Sequence, residues 1–180
     1  YTMEKAGADP GTVEFREYYP AEPDPLEILT GEIDAVWGSY WSWEGVLAHM
    51  EEPHIDWFRA PELGAPYIHN QILAVRGKTA AEDPDFVEGF LRATKKGFAE
   101  AAADPEGAAE IMVMVAPVFT SGQFAAAIRA CTDTWNLADW GAHDTENIDS
   151  YARWLESRNF LESSEGHLEH FTDRFLCRIP

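Results

Sequence analysis

The chain has 180 residues, 46% of them hydrophobic and 25% charged, the make-up of a globular unit with apolar side chains enough for a sizeable core. Acidic residues outnumber basic ones 32 to 13, a formal charge of −19, which argues strongly against a nucleic-acid or anionic-membrane surface. Residues 1–77 hold 14 acidic against 4 basic groups and residues 78–180 hold 18 against 9, so the acidity is a spread, solvated surface and not a tail.

Tyr1 to Gly7 reads as the end of a helix stopped by Gly7, with the expectation that the natural beginning lies upstream. Asp9-Pro10-Gly11 is a turn, and Val13-Glu14-Phe15 a candidate strand after it. Pro25 to Leu29 forms a short helix that starts behind Asp24 and ends at Gly31. Ile33, Ala35, Val36 and Trp37 then make a brief apolar run between Gly31 and Gly38, the pattern of a strand buried in a sheet. Gly38-Ser39 offers a turn, and a helix follows that Ser39 or Ser42 could cap, with Glu44 to Met50 inside it. Ile55 to Arg59 is another short strand, Pro61 to Pro66 a loop, and Tyr67 to Val75 a longer extended segment that ends at Gly77. This β-α-β-α-β rhythm predicts a mostly parallel sheet with helices on its faces.

Beyond Gly77 only helices are predicted. Asp83-Pro84 supplies an N-cap and a first-turn proline for a helix lasting to about Ala103, with Phe86, Val87, Phe90, Leu91, Thr94 and Phe98 as its apolar face. Asp104-Pro105 repeats that start for a helix whose apolar face is Ala108, Ala109, Ile111, Met112 and Val115, closed by Pro117. Thr120 with Gln123 fits a capping box for a helix carrying Phe124, Ala127, Ile128 and Cys131. Ile148, Tyr151, Ala152 and Leu155 have the i, i+3, i+4, i+7 spacing of a last helix stopped around Asn159. There is no run of about 18 apolar residues to span a membrane.

Catalytic and metal signatures are absent from the sequence. His49, His54, His69, His143, His167 and His170 form no His-Glu-x-x-His pair, and there is no nucleophile elbow, phosphate-binding glycine loop or dinucleotide fingerprint. Cys131 and Cys177 lack metal-ligand spacing and read as two buried or semi-buried thiols in preference to a disulfide, so redox compartment is not read from them. The expectation is therefore a binder with no catalytic residue, no cofactor and no metal.

Binding is better represented. Trp37, Tyr40, Trp41 and Trp43 fall within residues 37–43, and flat aromatic faces stack on planar heterocycles while excluding water from nearby polar groups. Glu44 is the one carboxylate among them, and a desolvated carboxylate needs donors such as the amino group of an aminopyrimidine or an ammonium held over a ring. The same residues fit a second reading equally well, in which the tryptophans are core and Glu44 favours the dipole of its helix. His69, Asn70 and Gln71 interrupt the apolar crossing at Tyr67 to Val75 and require hydrogen-bond partners from backbone or ligand, Tyr67 and His69 being the better ligand candidates.

Gly-Glu-Ile-Asp-Ala at 31–35, the extended Tyr67 to Gly77 segment, Asp83-Pro84-Asp85-Phe86-Val87-x-x-Phe90-Leu91-Arg92-Ala93-Thr94-x-x-Gly97 and Asp104-Pro105-Glu106-x-Ala108-Ala109 together resemble the solute-binding proteins related to thiamine-pyrimidine precursor synthases. Gly38 to Gly45 is similar to the Gly-Tyr-Trp-Asn-His-Glu-Gly segment of the branch that binds formylaminopyrimidine; Tyr40, Trp41, Glu44 and Gly45 match, whereas Ser42 and Trp43 depart.

The resemblance implies an α/β, type II periplasmic-binding-protein-like fold of two lobes, with the N-terminal part of the first lobe missing. Residues 1–70 would be the second α/β lobe without its first strand, 71–77 the interlobe crossing, and 78–180 the helical C-terminal part of the first lobe. It further implies a periplasmic or extracellular protein, lipid-anchored or free, that delivers a thiamine pyrimidine precursor or similar planar heterocycle to an ABC transporter permease. The ligand-binding residues would be Tyr40, Trp41, Glu44, Trp37, Tyr67 and His69. The alternatives are a synthase of that pyrimidine, as in eukaryotic relatives that use pyridoxal phosphate and iron, and a binder of another solute such as an alkanesulfonate, nitrate or taurine. Anions of the last kind need cationic or N-H donors, which Glu44 opposes.

Overall fold

The computed structural model of the chain describes residues 3, 6–16, 25–68 and 71–176. The proposed cap Asp24, the candidates His69 and Asn70, and Cys177 lie outside them. The described part contains six α-helices: α1 (Glu44–Glu51), α2 (Gly77–Glu82), α3 (Pro84–Ala103), α4 (Pro105–Val115), α5 (Ser121–Thr132) and α6 (Thr145–Ser157). Short 3-10 turns at Pro10–Thr12, Pro25–Thr30, Ala60–Leu63, Leu137–Asp139 and His167–His170 punctuate the connections.

Where helix ends are set by neighbours in sequence, the expected residues set them. Asp83 accepts from the Phe86 N–H at 3.2 Å, and Asp104 from the Gly107 N–H at 3.0 Å, each followed by a proline whose missing N–H costs nothing in the first turn. Thr120 and Gln123 form the full capping box of α5: the Thr120 hydroxyl accepts from the Gln123 N–H at 3.2 Å, and Gln123 Oε1 accepts from the Thr120 N–H at 2.8 Å. Asp144, not anticipated from the sequence, caps α6, accepting from the Asn147 N–H at 3.0 Å. Asn159 stops the last helix with φ +60°, and Gly7 turns the chain at φ +74° with the Ala8 N–H on the Met3 carbonyl at 2.8 Å. One helix was not anticipated. Gly77 opens α2, which the Arg174 guanidinium pins by donating to the Ala80 carbonyl at 3.0 Å.

The core lies between α4 and α5. Ala109, Phe124, Ala125 and Ile128 form its buried centre, with Trp43, Ala101, Val113, Phe119 and Trp135 packed around it. Ala109 is fully buried, and its small side chain lets α4 and α5 approach closely. α3 and α1 close over this pair, and Phe98 on α3 meets Trp135 edge-on at 4.8 Å.

Two expected faces are corrected. On α3 the inward stripe is Val87, Leu91, Thr94 and Phe98, at i, i+4, i+7 and i+11, while Phe86 and Phe90 are 58% and 52% exposed. Those two precede the stripe by one residue, and about 100° of helical rotation carries them out of it. On α4 the inward residues are Ala108, Ala109 and Val113, and Ile111, Met112 and Val115 face outward, because its only charged side chains, Glu106 and Glu110, precede an Ile111–Val115 run that is apolar all round and packs by fit. α6 keeps its predicted face, with Ala152 buried and Ile148, Tyr151 and Leu155 half-buried.

The expected strands are also corrected: among the described residues no segment pairs into a strand. Val13–Phe15, Ile33–Trp37, Ile55–Arg59 and the described part of the Tyr67–Val75 crossing run as single unpaired segments, and Ile68, Ile72, Leu73 and Val75 are 41–58% exposed. A strand is stabilised by the backbone ladder of a neighbour, and alternation or apolar runs alone do not supply one. No helix is long and apolar enough to cross a membrane among the described residues.

Candidate functional site

The predicted cluster is built on the turn that leads into α1. Trp43 stands at the N-cap position without a side-chain hydrogen bond to the helix, so neither Ser39 nor Ser42 is the cap. Instead Glu44 Oε2 accepts the Tyr40 N–H at 2.8 Å, while the Tyr40 carbonyl accepts the N–H groups of Trp43 and Gly45, each at 3.1 Å. This reciprocal pairing ties residues 40–45 into a closed turn and holds the carboxylate at a helix start, where the macrodipole favours negative charge. Glu44 is half-buried, not desolvated as its sequence setting suggested, and Tyr40 is 44% exposed.

The four aromatic residues divide. Trp43 turns inward, stacking on Phe124 at 5.3 Å and 28° and meeting Phe119 edge-on at 4.8 Å, so it belongs to the core. Trp41 is half-buried, and the Arg59 guanidinium lies 4.2 Å over its ring. Trp37 is 81% exposed, in solvent. Tyr67 is 53% exposed on the crossing segment. The structure thus brings Tyr40, Trp41 and Glu44 together and leaves Trp37 exposed.

Three further residues join the turn from beyond α1. The Trp57 indole lies against Gly45, where an added Cβ would meet it at 3.5 Å, and His49 meets Trp57 edge-on at 5.6 Å and 82°. Arg59 completes the group; its Nε is 3.9 Å from Glu62 Oε1. The result is an aromatic shelf in which Gly45 lies against both Trp57 and Trp41, with Arg59 over the Trp41 ring, His49 against Trp57 and Glu44 in the adjoining turn. Sequence reasoning missed Trp57 and Arg59 because the 55–59 segment reads as a short strand, and it weighed His49 only as a metal ligand. One signal was present: Arg59 is among only 4 basic groups in residues 1–77.

An open polar cavity of about 610 Å³ lies elsewhere, between α6 and the 163–169 loop, and none of the predicted site residues lines it. Several of its charged groups pair with one another, while the buried His167 Nε2 has no hydrogen-bond partner among the described residues. Arg153 Nε donates to Asp149 at 2.6 Å, and Ser164 donates to Glu156 through Oγ at 2.5 Å and through its N–H at 3.2 Å. The His167 imidazole bonds the Ser164 carbonyl through Nδ1 and directs Nε2 toward Asp149 at 3.6 Å. Hydrogen bonding to Arg153 holds the Asp149 carboxyl below its ordinary value, and the Ser164 hydroxyl does the same for Glu156. These pairs fasten the loop to α6, and the aromatic turn is the better candidate because it alone joins flat ring faces to a carboxylate and a guanidinium, whereas the cavity's lining carries no aromatic ring beyond the His167 imidazole. Among the described residues no group of three or more His, Cys, Asp or Glu is placed to hold a metal ion.

A family model matches residues 1–108, more than half of the chain and extending into α4. It describes a class of proteins with a periplasmic-binding-protein-like fold, typically extracellular or periplasmic. That family is NMT1/THI5 like, and the chain belongs to it. The membership is consistent with a solute-binding or thiamine-pyrimidine-related role. No curated protein matches the chain. No solved structure matches it either.

Proposed function

We propose that the chain is part of a solute-binding protein of an ABC importer and takes a formylaminopyrimidine-like thiamine precursor, or a similar planar heterocycle, at the Trp41 and Glu44 shelf. The observation that carries this reading is the state of Glu44: its Oε2 is held by the Tyr40 N–H at 2.8 Å, which fixes the carboxylate in the turn that carries Trp41 and leaves Oε1 to accept from a ligand amino group. Stacking on Trp41 or Tyr40 would supply the apolar share of the affinity. In this reading residues 1–70 belong to one lobe of a type II binding protein, 71–77 cross between lobes, and 78–180 belong to the other, with Tyr67, His69 and Trp37 contributing to the ligand site when the lobes close. The partner is the importer's permease, and the protein works outside the cytoplasm, with or without a lipid anchor.

Isothermal titration of full-length protein with formylaminopyrimidine, aminopyrimidine and riboflavin tests the proposal. Saturable heat with a pyrimidine, lost in Trp41→Ala, is expected. No heat with any of the three overturns it, and a visible absorbance band from a bound pyridoxal cofactor would turn the assignment toward a synthase.

A further inference from the structure

Arg59 holds the Trp41 face that a stacked ring would use. Its guanidinium carbon is 4.2 Å from the indole centroid, too close for a planar ligand to enter between them. Arg59 is loosely held: the Nε to Glu62 distance is 3.9 Å and the two side chains are 46% and 65% exposed, which makes this ion pair weak. Its terminal nitrogens bond no other group among the described residues. A guanidinium presents a planar fork of donors, and an arriving ligand that offers oxygen lone pairs recovers the hydrogen bonds this fork lacks.

We propose that Arg59 is a specificity residue that admits planar heterocycles carrying an exocyclic oxygen acceptor and disfavours the same rings without one. This rests on the ligand site proposed above. A bare ring must displace the guanidinium from Trp41 and gains nothing for it, so it loses the cation-π contact. A ring with a formyl or carboxamide oxygen lets the guanidinium swing to its edge and donate. Glu44 Oε1 meanwhile accepts the ring's amino group, so the two ends of the shelf read opposite hydrogen-bonding character. The same logic explains how an acidic protein can hold an oxygen-rich solute next to Glu44.

The test compares formylaminopyrimidine with aminopyrimidine by isothermal titration against full-length wild type, Arg59→Gln and Arg59→Lys, with circular dichroism confirming that each variant is folded. Arg59→Gln is expected to weaken the formyl ligand about tenfold, the size of one charge-assisted hydrogen bond, and to leave the parent amine unchanged or a few-fold tighter because the Trp41 face is vacated. Arg59→Lys is expected to restore only part of the selectivity, since an ammonium lacks the planar fork. Equal losses for both ligands, or no change for either, overturn the role of Arg59 while leaving the site assignment standing. Failure of wild type to bind either ligand overturns both.

Discussion

The Glu44 carboxylate accepts the backbone N–H of Tyr40 at 2.8 Å, so the only acidic group of the aromatic turn is also the group that holds the turn closed. Removing the side chain should therefore cost stability as well as any ligand. Glu44→Ala is expected to lose about 1 kcal/mol, a drop of about 2–4 °C in Tm for a chain of this size, because the Tyr40 N–H loses its partner. Glu44→Gln keeps an acceptor oxygen and should melt near wild type. Thermal circular dichroism reads both, and equal destabilisation by the two variants would show that charge, not the hydrogen bond, holds the turn.

Trp43 and Trp37 should respond oppositely to truncation. Trp43 packs on Phe119 and Phe124 at 4.8 and 5.3 Å, and Trp43→Ala is expected to cost about 3 kcal/mol through the cavity left against α5. Trp37 is 81% exposed, and Trp37→Ala should stay within about 0.5 kcal/mol of wild type. Urea unfolding followed by far-ultraviolet circular dichroism distinguishes the two, and a large loss at Trp37 would contradict its exposed placement.

Ala109 on α4 packs with Phe124, Ala125 and Ile128 of α5 and has no exposed surface. Ala109→Leu should therefore overpack the interface and destabilise by about 1–3 kcal/mol, whereas Ala109→Gly should cost about 1 kcal/mol through helix propensity. A neutral Ala109→Leu in urea unfolding would mean that the two helices are not in contact there.

The ties between α6 and the 163–169 loop should weaken in acid. Arg153 holds the Asp149 carboxyl below its ordinary value of 3.8, and the Ser164 hydroxyl and N–H hold Glu156 below 4.5. A carboxyl depressed by folding stabilises the native state above its unfolded value, and that contribution disappears as pH falls through the folded one. Stability from these two groups is therefore flat near neutrality and declines below about pH 4.5. The double variant Asp149→Asn, Glu156→Gln should show a shallower loss of urea midpoint over the acid range than wild type. Identical pH dependence in the two proteins would mean that these carboxylates do not contribute.

Much of the helical frame was legible in the sequence, and the reason is one of range. Asp83, Asp104, and Thr120 with Gln123 reach N–H groups only three residues away, so each cap is decided inside one helical turn. Family membership was legible for a similar reason, since its motifs are runs of consecutive residues. The candidate site was legible only in its local part: Tyr40, Trp41 and Glu44 share one turn, whereas Trp57 and Arg59 reach it across α1 and carry no local mark of doing so.

Sequence by itself determined where the chain turns, which residues begin the helices at Pro84, Pro105 and Ser121, and that a carboxylate sits among aromatic rings. Tertiary structure alone decided which ring does what. Trp41 and Trp43 lie two positions apart with similar local surroundings, yet one lies beneath Arg59 and the other packs into Phe119 and Phe124. Tertiary structure also decided that Phe86, Phe90 and Ile111 face outward and that apolar runs expected to pair as strands remain single. Burial and strand pairing are relations between distant residues, set by which surfaces fit together, and no local pattern encodes the partner.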